Sequence, residues 1–363
     1  MTSLRMKFPS LTRKFGVAIT ILALMFLVVQ DANAQIGGGL RKRAEEAAKG
    51  KGKGATESVA PANPANEAPA QRPVSAADQQ RAREAAALKQ PWSVDKDRKG
   101  TILATFVDGV LTFSGTGEMF NFQITMHKDE RPWAPHIKEI TTAVVEEGIT
   151  ELSRFAFYNC ENLTSISLPT TLKNIGGAAF YGCKSLPSIT LPASLTDFTT
   201  GQVPDGKGST YSVGLFGQCM SLTEINVAAG NERYKSVDGI LYFHISTRWR
   251  LAAYPAGRKA ETFNVPEQTP VAFPGAFSDN VYLKNVVFPV SFGELQASCF
   301  RGCTALQSIT FKQATGQVKL GRDVFVGVDM ANIKIFVPKK VLENYTTRAD
   351  SDWKEWASRI TGQ

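Results

Sequence analysis

From Thr150 onward the apolar positions of the chain recur at fixed offsets. Thr150 to Leu172 falls on Lys173 to Leu195 without a gap, at a 23-residue period. Phe157, Cys160, Leu163, Ile166, Leu168 and Pro169 meet Phe180, Cys183, Leu186, Ile189, Leu191 and Pro192. The pattern Phe-x-x-Cys-x-x-Leu-x-x-Ile returns at Phe216 to Ile225 after a 13-residue insertion, then at Phe277 (with Asn280 in the Cys position) and Phe300. A frayed copy follows with Phe325, Ile335 and Val337, and a longer degenerate unit lies between Ile225 and Phe277.

A period of this length built on Leu and Ile marks a solenoid, because each unit is too small to bury its own apolar side and neighbours must stack. Leu163-Thr-Ser-Ile-Ser-Leu-Pro169 reads as a short strand ended by Pro, which cannot continue a ladder. Stacked copies predict a parallel β-sheet, with the Phe-centred segment as an opposite wall of short helical or irregular turns and the Phe rings aligned as a spine. The fold class expected is an α/β repeat solenoid, a leucine-rich-repeat-like stack with a small β-rich N-terminal cap and a short C-terminal helical cap.

These residues resemble the BspA-like (Treponema pallidum-type) leucine-rich repeat family, whose unit runs roughly Ile-Gly-x-x-Ala-Phe-x-x-Cys-x-x-Leu-x-x-Ile-x-Leu-Pro. Ile175-Gly-Gly-Ala-Ala-Phe180 through Pro192 carries the resemblance most closely. Leu111 to Met119, Pro132-Trp133 and Glu146 to Thr150 are similar to the family's N-terminal capping region, and Ile335-Phe-Val-Pro338, Tyr345 and Trp353 to its closing segment. The resemblance implies a secreted or surface-exposed bacterial protein that binds host proteins or cells as an adhesin. The chain departs from the pattern at the Gly201–Ser209 insertion, at Asn280, and in lacking an obvious surface anchor.

The segment before the repeats has a different character. Arg5, Lys7, Arg13 and Lys14 precede the apolar run Val17 to Val29, and Asp31-Ala-Asn-Ala34-Gln35 places small residues at a cleavage site. That is the order of a secretory signal peptide, and the run is short of the roughly 20 residues that a membrane helix needs. An uncleaved N-terminal anchor is the alternative. Residues 35–90 are rich in Ala, Gly, Pro and Lys and hold no aromatic residue, so they cannot offset their chain entropy by burial and read as a disordered basic linker. The expected organisation is signal peptide 1–34, linker 35–90, N-terminal cap region 91–149, repeats 150–332 and C-terminal cap 333–363.

Charge follows the same division. The chain carries 41 Lys and Arg against 33 Asp and Glu, a formal +8. Residues 1–34 hold +3, residues 35–100 hold +5, and residues 101–363 hold 24 of each sign. A neutral folded part argues against nucleic acid as a partner. The basic residues in 41–53 remain able to contact anionic envelope polymers.

Four of the five cysteines (Cys160, Cys183, Cys219, Cys303) share one repeat position, and Cys299 precedes Phe300. They read as small core hydrophobes whose thiols bond backbone, rather than as disulfides or metal ligands. The three histidines show no ligand spacing, no Gly-x-Ser-x-Gly elbow appears and no Gly-x-Gly-x-x-Gly follows a strand, so no metal, catalytic residue or cofactor is expected. Gly201-Gln-Val-Pro-Asp-Gly-Lys207-Gly208 fits most of a phosphate-binding loop, but Gly208 stands where a magnesium-binding hydroxyl is required.

What remains is a surface. Strand alternation puts Ser165 and Ser167, Ser188 and Thr190, Glu224 and Asn226, Asn285 and Val287, and Ser308 and Thr310 outside. A solvated face without a partner and a binding face both fit this pattern. Arg248, Trp249 and Arg250, in a segment that breaks the repeat, offer the anchor types that such a face lacks. The expected function is a non-enzymatic binding or adhesion module for an extracellular protein or glycan. The competing reading is a structural cell-envelope protein held by its basic N-terminal segment.

Overall fold

The computed structural model describes residues 91–363 except 126 and 205–208. They lie in one compact unit, Val74–Gln363. The expected signal peptide (1–34), the expected linker (35–90) with its residues 41–53, and Lys207-Gly208 lie outside the described residues.

Each repeat makes one turn of a coil with three sides. The first side is the strand expected from the Leu-x-x-Ile-x-Leu segment. Strands Thr142–Val145, Ser165–Ser167, Ser188–Leu191, Glu224–Val227, Thr262–Asn264, Asn285–Phe288, Ser308–Phe311 and Lys334–Val337 make this strand wall. Pairing is parallel and follows the repeat: Ser165 meets Thr142, and Ser308 meets Asn285. Glu224 meets Ser188 as though the insertion were absent.

The second side was not anticipated. Ile149–Leu152, Asn174–Ile175 and Asp197–Phe198 form another parallel ladder, and Val271–Ala272, Glu294–Leu295 and Lys319–Leu320 continue the arrangement. Mostly two residues long, these strands are too short to show alternation in the sequence.

The third side is the Phe-centred turn, and it too is a ladder. The N–H groups of Phe155, Phe157 and Asn159 donate to the carbonyls of Gly177, Ala179 and Tyr181 in the next turn (2.8–3.2 Å). Gly275, Phe277 and Asp279 donate to Ala297, Cys299 and Arg301, and Ser298, Phe300 and Gly302 to Arg322, Val324 and Val326. Left-handed backbone two residues before and after the Phe aims these groups along the coil. Phe155, Ala178, Ser298 and Asp323 on one side, and Asn159, Gly182, Asp279 and Gly302 on the other, all have positive φ. Phe155 is the costly member, since a bulky side chain rarely adopts that conformation.

The aromatic spine is present in two runs. Phe157, Phe180 and Phe216 stack with centroids 5.5 and 5.8 Å apart, and Phe277, Phe300 and Phe325 with centroids 4.7 and 5.9 Å apart. The core is correspondingly two large hydrophobic clusters that divide near Tyr242, with a smaller third one around Phe155, Ala178, Tyr181, Val203 and Val213 on the turn side. The division coincides with the degenerate unit, which is a meander of Tyr234–Val237, Ile240–Ile245 and Arg248–Ala253. The meander joins the second side through the Leu251–Ala272 pair. The insertion is a hairpin, Gly201–Pro204 against Thr210–Val213, so the phosphate-loop-like segment starts in a strand that leads to another strand.

Both ends are closed by dedicated side chains. At the N-terminal end, the antiparallel hairpin Ile102–Val107 and Val110–Gly115 pairs with Thr142–Val145. Arg131 and Trp133 lie beneath the first turn and take its carbonyls. Arg131 Nη1 donates to Tyr158 O (2.7 Å) and Trp133 Nε1 to Ala156 O (3.0 Å), while Asp129 holds the guanidinium. At the other end Ile360–Gly362 pairs with Lys334–Val337. Tyr345 and Trp353, both fully buried, bond the N–H and the carbonyl of Val318. Leu342–Thr346 is the one α-helix among the described residues, so the fold is a strand-and-turn solenoid with little helix.

Candidate partner-binding surface

On the strand wall the outward positions of successive strands align in two rows. One runs through Ser165, Ser188 and Glu224, then Asn285 and Ser308. The other runs through Ser167, Thr190 and Asn226, then Val287 and Thr310. Side-chain bonds between repeats orient members of the rows. Ser308 Oγ donates to Asn285 Oδ1 (2.7 Å), Asn285 Nδ2 to Thr262 Oγ1 (3.3 Å) and Ser165 Oγ to Thr142 Oγ1 (3.3 Å). Ser165, Ser167, Ser188, Thr190 and Glu224 are exposed, whereas Asn226, Asn285, Val287, Ser308 and Thr310 are half-buried.

The wall is not one continuous sheet. Ser165–Ser167 and Ser188–Leu191 share no ladder, and neither do Glu224–Val227 and Thr262–Asn264. The first gap coincides with a missing backbone donor. Thr164 N–H donates to Thr141 O, and Gln307 N–H to Lys284 O, at the entry to their strands. Pro187 occupies that position in its own repeat and has no N–H to give. Lys184–Glu161 (2.8 Å) and Lys284–Glu261 (2.6 Å) link neighbouring repeats beside the face, but such exposed pairs add little stability.

The other three candidates stand apart, on the meander. Arg248 and Trp249 line a 260 Å³ pocket with Lys235, Tyr242, Glu267 and Gln268. Trp249 is half-buried and engaged: the Lys235 ammonium sits 4.1 Å from its ring centroid and the His244 ring 4.9 Å away. Arg250 does not line this pocket, and its Nε is buried without a partner. The other candidates therefore belong to two surfaces, a polar strand face and a cationic–aromatic pocket, and Arg250 to neither.

A third feature is one the repeat pattern alone does not reveal. The turn side carries Tyr158 stacked on Tyr181 at 5.3 Å, the Tyr181 and Tyr211 hydroxyls 2.8 Å apart, and the Arg301 guanidinium 3.8 Å from the Tyr211 centroid. Burial pushes the Tyr181 hydroxyl well above its usual range. Burial also raises the Asp279 carboxyl, although the Gln218 N–H that it accepts and the Arg301 charge oppose the shift. The Phe157-Tyr158 and Phe180-Tyr181 dipeptides at the same repeat position were the available signal.

The cysteines are all buried as free thiols. Cys183, Cys219 and Cys303 donate to the carbonyls of Phe157, Phe180 and Phe277 at 3.0–3.3 Å. Burial pushes the Cys160 and Cys219 thiols up to about 12, so neither is poised as a nucleophile. Among the described residues no group of three or more His, Cys, Asp or Glu could hold a metal ion, and no helix is long and apolar enough to cross a membrane.

A parallel coil of strand, short strand and turn with an aromatic spine defines a leucine-rich-repeat solenoid. Residues 136–203 and 256–350 match the family described as BspA type leucine rich repeat region, in six copies. The repeats of this chain are BspA-type leucine-rich repeats. Similar solved structures include a leucine-rich repeat protein from Eubacterium ventriosum, at 20% identity and TM-score 0.40, covering 69% of this chain and 78% of that one. The pneumococcal vaccine antigen PcpA is similar at 15% identity and TM-score 0.37, covering 73% and 96%. The T. pallidum leucine rich repeat protein is similar at 20% identity and TM-score 0.29, covering 63% and 87%. No curated protein matches the chain.

Proposed function

We propose that this protein is a secreted or surface-associated, non-enzymatic binding module whose strand wall engages an extracellular protein or glycan. The observation that carries the reading is the pair of aligned outward rows: mostly small hydroxyl and amide side chains, three of them in one row bonded to the neighbouring repeat, on a neutral scaffold. Such a face recognises by hydrogen bonding and shape rather than by charge. The signal-peptide-like start of the sequence and the BspA-type repeats support the extracytoplasmic setting. The basic segment within 35–100 supports the competing envelope reading, in which tethering is the main contact.

The test compares the mature chain, 35–363, with its Ser165→Glu/Ser188→Glu/Ser308→Glu variant for binding to host-cell and bacterial surface fractions. Three carboxylates on the rows should lower affinity at least about tenfold while leaving the circular dichroism unchanged. Loss on Trp249→Ala instead would move the site to the meander pocket. Indifference to both would favour the tether.

A further inference from the structure

The turn ladder has a direction, and its two ends are treated differently. Where the ladder forms, its N–H groups point toward the next turn, so the first turn presents carbonyls outward and the last presents donors. The outward carbonyls of Ala156 and Tyr158 are taken by Trp133 and Arg131. At the far end the strand wall is closed by Ile360–Gly362, and the second side by Tyr345 on the N–H of Val318 and Asp352 on that of Leu320. The last turn is left open. Asp323, Phe325 and Gly327 stand where Ser298, Phe300 and Gly302 stand one repeat earlier, yet among the described residues nothing accepts from their N–H groups. A groove of 520 Å³ runs along this edge. Val326 (43% exposed), Met330 and Trp356 give it an apolar side, and Asp323, Asp352 and Glu355 a rim of carboxylates, with no Lys or Arg among its lining residues.

We propose that this edge docks an extended, basic peptide segment of a partner protein. In earlier turns the acceptors are carbonyls of alternate residues, such as Gly177, Ala179 and Tyr181. An extended strand presents alternate carbonyls along one edge in the same way, which is the basis of recognition by strand addition. Apolar side chains of the segment would cover Val326 and Trp356, and Lys or Arg would meet the carboxylates. A second copy stacked end-on does not fit, because its own first-turn carbonyls are already bonded. This site is independent of the strand-wall reading.

Hydrogen exchange on the full mature chain tests it, with acetyl-Lys-Val-Lys-Val-Lys-Val-amide as the probe. In the free protein the amides of Asp323, Phe325 and Gly327 should exchange at least about tenfold faster than those of Ser298, Phe300 and Gly302. Added probe should slow them, and the peptide with Glu in place of Lys should not. Asp323→Asn combined with Glu355→Gln should weaken the probe by about threefold to tenfold without altering exchange in the free protein. Slow exchange in the free protein, no slowing by the probe, or equal slowing by the acidic peptide overturns the proposal. So does protection that grows with protein concentration alone, which would make the occupant a second copy.

Discussion

At the residue scale, the position three residues after the Phe of several turns satisfies backbone left bare where turn becomes strand, as at Cys183, Cys219, Asn280 and Cys303. Cys does so with a single thiol donor to the preceding turn. Asn280 does so more fully, donating to Pro255 O and Arg258 O and accepting from the N–H groups of Tyr282 and Leu283 (2.8–3.0 Å). Asn231 repeats the arrangement with Pro192, Leu195, Arg233 and Tyr234, although its repeat was too degenerate to align. The equivalence of Cys and Asn was legible at position 280 because the surrounding Phe, Leu and Val kept register. Asn280→Ala should cost about 3 kcal/mol in denaturant unfolding, since four backbone groups lose their bonds, two of them in buried positions. Thiol reagent should modify almost nothing in the native protein and five equivalents after denaturation without reductant. Fewer than five would indicate bridges. A third residue-scale prediction concerns Asp95. Burial acts to raise its carboxyl, but N–H groups of Lys99 and Gly100 and the Ser93 hydroxyl outweigh that and hold it at about 2. A depressed carboxyl stabilises the fold above its unfolded value near 4, and that contribution disappears as pH falls toward 2. Asp95→Asn should therefore be less stable at neutral pH and lose less on acidification across that window.

At the element scale, the strand-wall segments were legible because they carry alternation, a fixed period and a terminal Pro. The meander was not read as hairpins, although Asp238-Gly239 joins the paired Val237 and Ile240 with positive φ at both turn residues. Asp-Gly between apolar runs is a strong two-residue hairpin signal, and Asp108-Gly109 repeats it between Val107 and Val110. The interruption at Pro187 was also written in the alignment of the repeats, since Pro falls opposite Thr164. Pro187→Thr should restore an N–H at the strand entry and stabilise by about 1 kcal/mol, seen as a rise of roughly 2 °C in Tm. No change would mean that the gap has another cause. The capping role of Arg131 could not be read, because its partners are carbonyls of residues 155 and 158, far along the chain. Arg131→Ala should cost about 3 kcal/mol, by stranding Asp129 and two buried carbonyls, and raise hydrogen exchange first in residues 153–160.

At the scale of the whole molecule, the charge division acquires a structural counterpart. The portion with 24 charges of each sign contains the strand, second-side and turn ladders. Its outward rows hold Glu224 as their one charged member among the sequence-derived candidates, so long-range attraction has little to act on there. What the sequence could not place was the separation of the candidates into two surfaces. Ser165 and Trp249 look alike as interruptions or exposures in a one-dimensional pattern. Only the coil puts one on the strand wall and the other on a meander joined to the second side. The measurement that bears most directly on the central claim is the affinity of residues 35–363 for host-cell and bacterial surface fractions, before and after the Ser165→Glu/Ser188→Glu/Ser308→Glu substitution, repeated at low and high salt. Recognition by the neutral strand wall predicts at least about a tenfold loss in the variant and little salt dependence in the wild type. Equal binding by both proteins, abolished by salt, would contradict it and assign the contact to the basic segment instead.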